Sequence, residues 1–376
     1  MKKVFYLLPI LSLFVLFSCK KEKTELNQEP TDTREFDLSK EPVLTGLATP
    51  WGMVFLNDSM ILVAEKSGNI VLGNVNTGVK KNIYKVVPSV QHGQGGLMDI
   101  RLHPDFKTNA WIYFSYTKQV SGQYTTAIGR AKYANETFAD FNEIFAANAL
   151  STNTVHFGSR LAFDGKGHLF LALGDRGNMQ QAQNTKNHMG CVLRLADDGS
   201  VPSDNPFVGD SDYLPEIWTY GNRNIQGLDF NPVSGELWAH EHGPQGGDEI
   251  NILKAGTNYG WPLATFGEQY GGGFIGDTAK AGTEQPIFYW VPSIAPCGMV
   301  FLRSNKYPQW KGSLFIGALA GQHLNRTVFV ANKKVSESRY FSGEGRIRNV
   351  VESTDGYIYF ADESNGVIHK LVPVFK

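Results

Sequence analysis

Gln226-Gly227-Leu228-Asp229-Phe230, followed after a turn by Glu236-Leu237-Trp238-Ala239-His240, is the stretch from which the architecture can be read. Both halves are short apolar runs with large side chains. The five residues between them, Asn231 to Gly235, include Asn, Pro, Ser and Gly, so the pair reads as two antiparallel strands joined by a tight turn. The same pattern stands at five other places. Before it come Trp51-Gly-Met-Val-Phe-Leu with Met60-Ile-Leu-Val-Ala, Leu97-Met-Asp-Ile-Arg-Leu with Trp111-Ile-Tyr-Phe-Ser, and Ser159-Arg-Leu-Ala-Phe with His168-Leu-Phe-Leu-Ala-Leu. After it come Gly298-Met-Val-Phe-Leu with Ser313-Leu-Phe-Ile-Gly, and Arg348-Asn-Val-Val-Glu with Tyr357-Ile-Tyr-Phe-Ala. Copies that begin roughly fifty to seventy residues apart have the spacing of propeller blades. A lone antiparallel sheet cannot bury both faces, whereas radially packed blades can. The expected fold is therefore all-β, a six-bladed β-propeller. A pair of β-sandwiches would also use short strands, but the repeat runs on with no linker to divide it.

The composition agrees. Forty glycines and 24 phenylalanines among 376 residues, set beside Val, Ile and Tyr, fit many strands joined by tight turns. A net charge of −1 gives no bulk attraction to nucleic acid or to an anionic membrane, so neither is an expected partner. The first residues form an export signal: Lys2-Lys3, an apolar run from Val4 to Phe17, then Leu16-Phe17-Ser18-Cys19. The run is too short to span a bilayer comfortably. Its end resembles a bacterial lipobox, apart from the bulky Phe17, so residues 1–19 are expected to be a lipoprotein-type signal with lipid on Cys19. Residues 20–40 are polar and charged and read as a flexible tether, and 41–376 as the propeller. The protein is thus expected outside the inner membrane, in the periplasm or at the cell surface. Cys191 and Cys297, at the starts of apolar strands, are expected to be free and buried.

Chemically able residues collect just before the first strand of a copy or just after its second, positions that converge on one face of a propeller. His156 precedes the first strand of the third copy and Asp175 follows its second, so the two should be neighbours, with the carboxylate fixing the tautomer of a general base. A loop histidine beside a turn aspartate is the plainer alternative. Arg346 and Arg348 share one side of an extended segment, and with Arg223 they would put three guanidinium groups over the channel mouth. Such a cluster suits an anion carrying several carboxylates or phosphates; otherwise they are separate arginines paired with acids. Gln94, in Gly93-Gln-Gly-Gly, offers a donor and an acceptor. After the fourth copy, His240-Glu-His-Gly-Pro-Gln-Gly-Gly-Asp-Glu-Ile-Asn sets a rigid turn beside Asp248 and Glu249, which suits a hard cation such as calcium.

The ordered series Gly93-Gln-Gly-Gly-Leu, His103-Pro-Asp-Phe, His156…Arg160-Leu, Gly174-Asp175, Arg223-Asn224-Ile-Gln-Gly-Leu, Gly243-Pro244…Asp248-Glu249-Ile-Asn, Asn258-Tyr259-Gly-Trp-Pro and Arg346-Ile-Arg348 resembles the PQQ-dependent aldose sugar dehydrogenases of the glucose/sorbosone dehydrogenase group. The resemblance runs from Thr49 to Val372. It implies that His156 is the base for the anomeric hydroxyl, with Asp175 near it, and that Gln94, Arg223, Asn224, Arg346 and Arg348 contact PQQ. It further implies that the Gly243 and Pro244 backbones bind the calcium on the quinone, and that Glu249 and Tyr259 serve a further calcium. An aldose would be oxidised to a lactone, with the electrons passed to an external acceptor. Where some members place a lysine against the quinone, this chain has Ala320, which puts the strength of cofactor binding in question. A calcium-dependent propeller lactonase and a non-catalytic carbohydrate- or protein-binding propeller are the competing classes.

Overall fold

The computed structural model describes residues 1–2 and 32–376; the expected export signal from residue 3 onward, with its lipobox, lies outside them. Six sheets, antiparallel except where Thr257–Asn258 joins Ile217–Tyr220 in parallel, are arranged as a β-propeller. The innermost strands are Pro50–Phe55, Leu97–Leu102, Leu161–Phe163, Ile225–Phe230, Pro296–Phe301 and Ile347–Glu352, one from each copy read in the sequence. Each pairs with the second strand of its copy.

Six apolar clusters hold the ring, one at each junction between neighbouring blades. Alternate residues of a single strand serve opposite junctions. In the first blade Leu62 and Ala64 pack against Leu97, Ile100 and Phe114 of the second. Their neighbours Ile61 and Val63 pack against Val351, Tyr359 and Ile368 of the sixth. A strand buried on both faces must be apolar throughout, which explains why these stretches read as continuous hydrophobic runs. Three junctions also carry a polar rivet on the inner strand. Asp99 accepts Ile100 N–H in its own blade and Leu161 N–H in the next, both at 3.0 Å. Asp229 does the same for Phe230 and Phe301, both at 2.9 Å. Asn349 accepts Val350 N–H at 2.9 Å and donates to the Trp51 carbonyl at 3.1 Å. A carboxylate or amide satisfied in this way pins strand to strand.

The ring is closed by its beginning. Phe36–Leu44 is the outer strand of the sixth blade, antiparallel to Val367–Phe375, from Phe36 opposite Phe375 to Leu44 opposite Ile368. This corrects the expected boundary: residues 36–40 belong to the propeller, not to the tether. Phe36 and Leu38, two apart, turn inward and pack on the cluster that contains Tyr307 and Phe315, which gives this otherwise polar segment its apolar hold. Cys191 and Cys297 are free and buried, as expected. Among the described residues no helix is long and apolar enough to cross a membrane.

Candidate active site

Every inner strand starts at the same end of the channel, and the expected residues gather there. His156 Nδ1 lies 2.6 Å from Asp175 Oδ1. Asp175 is in turn fixed by the Gly177 N–H at 2.7 Å and by the Trp261 indole N–H, which donates to Oδ2 at 2.8 Å. The carboxylate thereby selects the tautomer with hydrogen on Nδ1 and a lone pair on Nε2, which makes no hydrogen bond among the described residues. The His156 N–H donates to Gln94 Oε1 at 2.9 Å, so the glutamine of the second blade reaches the histidine of the third. The hollow beside them, about 270 Å³, is bordered by His156, Asp175, Arg223, Pro244, Trp261 and Tyr270.

An adjoining hollow of about 250 Å³ sits over the channel, lined by Trp51, Gln94, Asn224, His242, Arg346 and Arg348 among others. Arg160, 1% exposed, ties two of its lining residues together by donating to the carbonyls of Gln226 at 2.9 Å and Arg348 at 3.0 Å. Arg346 and Arg348 share one carboxylate. Arg348 Nε and Nη2 donate to Glu363 at 2.6 and 2.9 Å, and Arg346 Nε donates to it at 2.7 Å. Burial alone would raise the Glu363 carboxyl, but Arg348 and then Arg346 more than offset it and hold it below the usual range. The Arg348 guanidinium also lies 3.8 Å from the ring centre of Trp51. Two arginines with one acid leave an excess of positive charge. Lys66 adds to it: its ammonium donates to the Gly93 carbonyl and stands 5.3 Å from the same indole. Burial first, and then Arg348, lower its pKa.

Arg223 departs from the expected trio. Its guanidinium donates to the carbonyls of Gly243 at 2.7 Å and His242 at 3.2 Å and borders the hollow of His156 rather than that of Arg346 and Arg348. The loop before Ile225–Phe230 turns it toward Gly243, while Arg346 and Arg348 line the adjoining hollow and His242 feels the charge of both Arg223 and Arg348. Asn224 is buried and lines the hollow of Arg346 and Arg348, and its Oδ1 accepts the Gly158 N–H at 3.2 Å. Ala320 is exposed and brings no charge to the channel. A larger hollow of about 530 Å³ opens at the opposite end of the ring. Its Arg303 and Arg101 are bonded to Asp229 and Asp99, and it lies away from His156.

The turn Gly243-Pro244 is tightly built. The Gly243 N–H donates to Asp248 Oδ1 at 3.0 Å, and the other oxygen of Asp248 accepts Ser293 Oγ–H at 2.6 Å and the Ile294 and Ala295 N–H groups at 2.8 and 2.9 Å. A Cβ on Gly243 would lie 2.2 Å from the Gly246 carbonyl oxygen, so no side chain fits there. Beside the turn, Glu241 and Glu249 face each other across the strand pair Leu237–Glu241 and Asp248–Leu253. Burial raises both carboxyls above their ordinary pKa, Glu249 strongly, with the charge of Glu241 as its second cause. Asn222 and Asn251 each turn an amide N–H to Glu241, at 2.9 and 3.4 Å, while their Oδ1 atoms are buried without a partner. The Tyr259 hydroxyl donates to the Ile252 carbonyl at 2.6 Å and accepts the Lys254 N–H at 2.8 Å, leaving its backbone carbonyl as the oxygen available to a cation. Two carboxylates that resist ionising together, beside two unpaired buried amide oxygens, are a donor set in want of a hard cation.

Against known families, residues 47–370 match the family model described as Glucose / Sorbosone dehydrogenase. The chain belongs to the glucose/sorbosone dehydrogenase family. Aldose sugar dehydrogenase YliI of Escherichia coli is 41% identical over 333 residues, 86% of this chain and 90% of that protein. The crystal structure of the soluble aldose sugar dehydrogenase from E. coli in the apo-form superposes with a TM-score of 0.84 at 38% identity, over 90% of this chain and 100% of that one. The PQQ-bound aldose sugar dehydrogenase of Streptomyces coelicolor superposes with a TM-score of 0.77 at 25% identity, over 90% and 99%.

Within this family member, Glu363, Lys66, Glu241 and Trp261 had been given no role from sequence. Three of them were within reach. Glu363, Lys66 and Glu241 stand at or just after the end of the second strand of their copies, the register that singled out Asp175. Trp261 stood within the Asn258-Tyr259-Gly-Trp-Pro motif, but its partner is 86 residues away in sequence and no local pattern names it.

Proposed function

We propose that the protein oxidises the anomeric hydroxyl of aldose sugars to lactones, with PQQ as the resident oxidant, calcium as its metal, and an external acceptor for the electrons. The observation that carries the proposal is the His156–Asp175–Trp261 relay, opening on one hollow while Arg346 and Arg348 line the next. A lactonase would have no need of that arginine pair, and a binding propeller none of the oriented imidazole.

The residues fit the cofactor in charge and position. Arg346 and Arg348 would hold the carboxylates, with Asn224 and Gln94 lining the same hollow and Arg223 on the sugar side. The carbonyls of Gly243 and Pro244 would hold calcium at the quinone, where a cation must share the Gly243 oxygen with Arg223 or displace it. Glu249 and the Tyr259 carbonyl, joined by Glu241, would hold a further calcium. Among the described residues no three His, Cys, Asp or Glu side chains are gathered for a metal, so such a site would draw on amide and carbonyl oxygens, as calcium sites do. When bound, the quinone with its calcium supplies a two-electron acceptor for the hydride of the anomeric carbon.

The protein's own part is positional and acid–base. The hollow beside Trp261 and Tyr270 orients the sugar. His156 Nε2 takes the hydroxyl proton as the hydride departs, and Asp175 stabilises the imidazolium that forms. Burial holds His242 well below the ordinary histidine pKa; its Nε2–H donates to the Pro296 carbonyl at 2.8 Å, so it borders the channel as a neutral group. Outside the propeller, we assign Cys19 as a lipid anchor on an exported protein. The functional test is reconstitution: purified protein given PQQ and calcium should reduce an artificial acceptor with a panel of aldoses. Aldose-independent behaviour, or lactone hydrolysis in its place, would overturn the proposal.

A further inference from the structure

Directly behind the base is a cation with no ion-pair partner among the described residues. Arg176 is 0% exposed. Its guanidinium carbon lies 3.4 Å from the ring centre of Phe157. Nη1 donates to the Val155 carbonyl, and Nη2 donates to the Asn153 carbonyl at 2.8 Å. Asn153 Nδ2 returns a bond to the Arg176 carbonyl at 2.8 Å, and Nε is buried without a partner. One side chain therefore grips the backbone just before His156 and the ring just after it. The neighbouring carboxylate, Asp175, is already committed to His156, Gly177 and Trp261.

The segment so gripped needs holding. His156 has φ +54° and Arg176 φ +58°, the left-handed region that non-glycine residues rarely occupy unless their surroundings impose it. A buried charge with unmet hydrogen-bonding capacity is itself unfavourable, and burial pushes this guanidinium down to about 10, with Asp175 opposing. A cost of that kind, on the loop that carries the base, points to function rather than to packing. We propose that Arg176 is the positioning residue of the base: its clamp on Asn153, Val155 and Phe157 holds His156 in the conformation that keeps Nδ1 on Asp175 and leaves Nε2 free for the sugar. The proposal rests on the assignment of His156 as the base.

Arg176→Lys keeps the charge but cannot fork to two carbonyls or stack as a plane. In PQQ- and calcium-loaded protein it should lower kcat by about ten- to a hundredfold, the cost of misplacing a reacting group, with KM and the PQQ titration near parental. In ligand-free protein the low-field proton resonance of His156 Nδ1–H, assigned by its loss in His156→Gln, should move or broaden. Millimolar guanidinium should restore part of kcat in Arg176→Ala. Should Arg176→Ala fail to fold, the lysine variant and the resonance carry the test. Parental kcat with an unchanged resonance in folded Arg176→Lys would overturn the proposal, as would a joint loss of kcat, PQQ binding and melting temperature. If His156→Gln kept full turnover while the resonance still moved in Arg176→Lys, the base assignment would fall and the clamp would stand.

Discussion

Replacing Arg348 by alanine should weaken PQQ binding far more than replacing Arg346, although the two are two residues apart on one strand. The Arg348 side chain is 8% exposed and forks onto Glu363, whereas that of Arg346 is 43% exposed and makes one bond to the same carboxylate. Removing Arg348 takes away a buried cation and leaves Glu363 underpaired beside an anionic ligand. Breaking a buried pair of this kind costs about 3–5 kcal/mol, roughly a 150- to 5,000-fold rise in Kd. Arg346, screened by solvent, should cost about 0.5–1 kcal/mol, or roughly two- to fivefold. Glu363→Gln removes the competing negative charge and should leave binding unchanged or tighter. Added to Arg348→Ala, it should recover part of the loss, a coupling that a double-mutant cycle measures. The assay is fluorescence or calorimetric titration of metal-loaded protein with PQQ, which requires no turnover. Equal and small effects in both arginine variants, or no recovery in the double variant, would refute the placement of the cofactor carboxylates on this pair.

Other outcomes follow from the same geometry. His156→Gln should lower turnover by about two to four powers of ten with PQQ still bound; parental turnover would place the base elsewhere. In metal-free protein the raised carboxyls of Glu241 and Glu249 bind protons more tightly folded than unfolded, so the contribution of this pair to stability is greatest in acid. It should fall as the pH rises from about 4.3, the ordinary glutamate value, toward neutrality. Calcium should reverse that fall by binding the native state; a melting temperature indifferent to chelator and to pH across this range would dismiss the site. Cys19→Ser should release the protein from membranes in a soluble form, and an unlipidated variant as firmly bound as its parent would dismiss the anchor.

The ring was legible because each inner and second strand is buried on both faces and therefore apolar in sequence. Outer strands such as Lys333–Tyr340, largely exposed, carry no such mark, and Phe36–Leu44 hid its two inward side chains inside a charged stretch. The pairing of His156 with Asp175 was legible because a hairpin puts the start of one strand beside the end of the next. What could not be read was which charges would answer one another across blades: Glu363 between two arginines, Arg223 turned to the Gly243 carbonyl, Trp261 reaching Asp175 from a long insertion. These depend on blade rotation around the ring, a quantity that no local run of residues encodes.

The central claim is that the anomeric hydride goes to the bound quinone while His156 takes the proton. Stopped-flow absorbance of the PQQ- and calcium-loaded protein, in a single turnover with glucose deuterated at C1, tests it most directly. The predicted result is reduction of one quinone per lactone formed, slowed by a primary isotope effect, and slowed further in His156→Gln. Quinone absorbance that stays unchanged while the sugar is consumed, or reduction at a rate indifferent to deuterium at C1 under conditions where chemistry is rate-limiting, would contradict it.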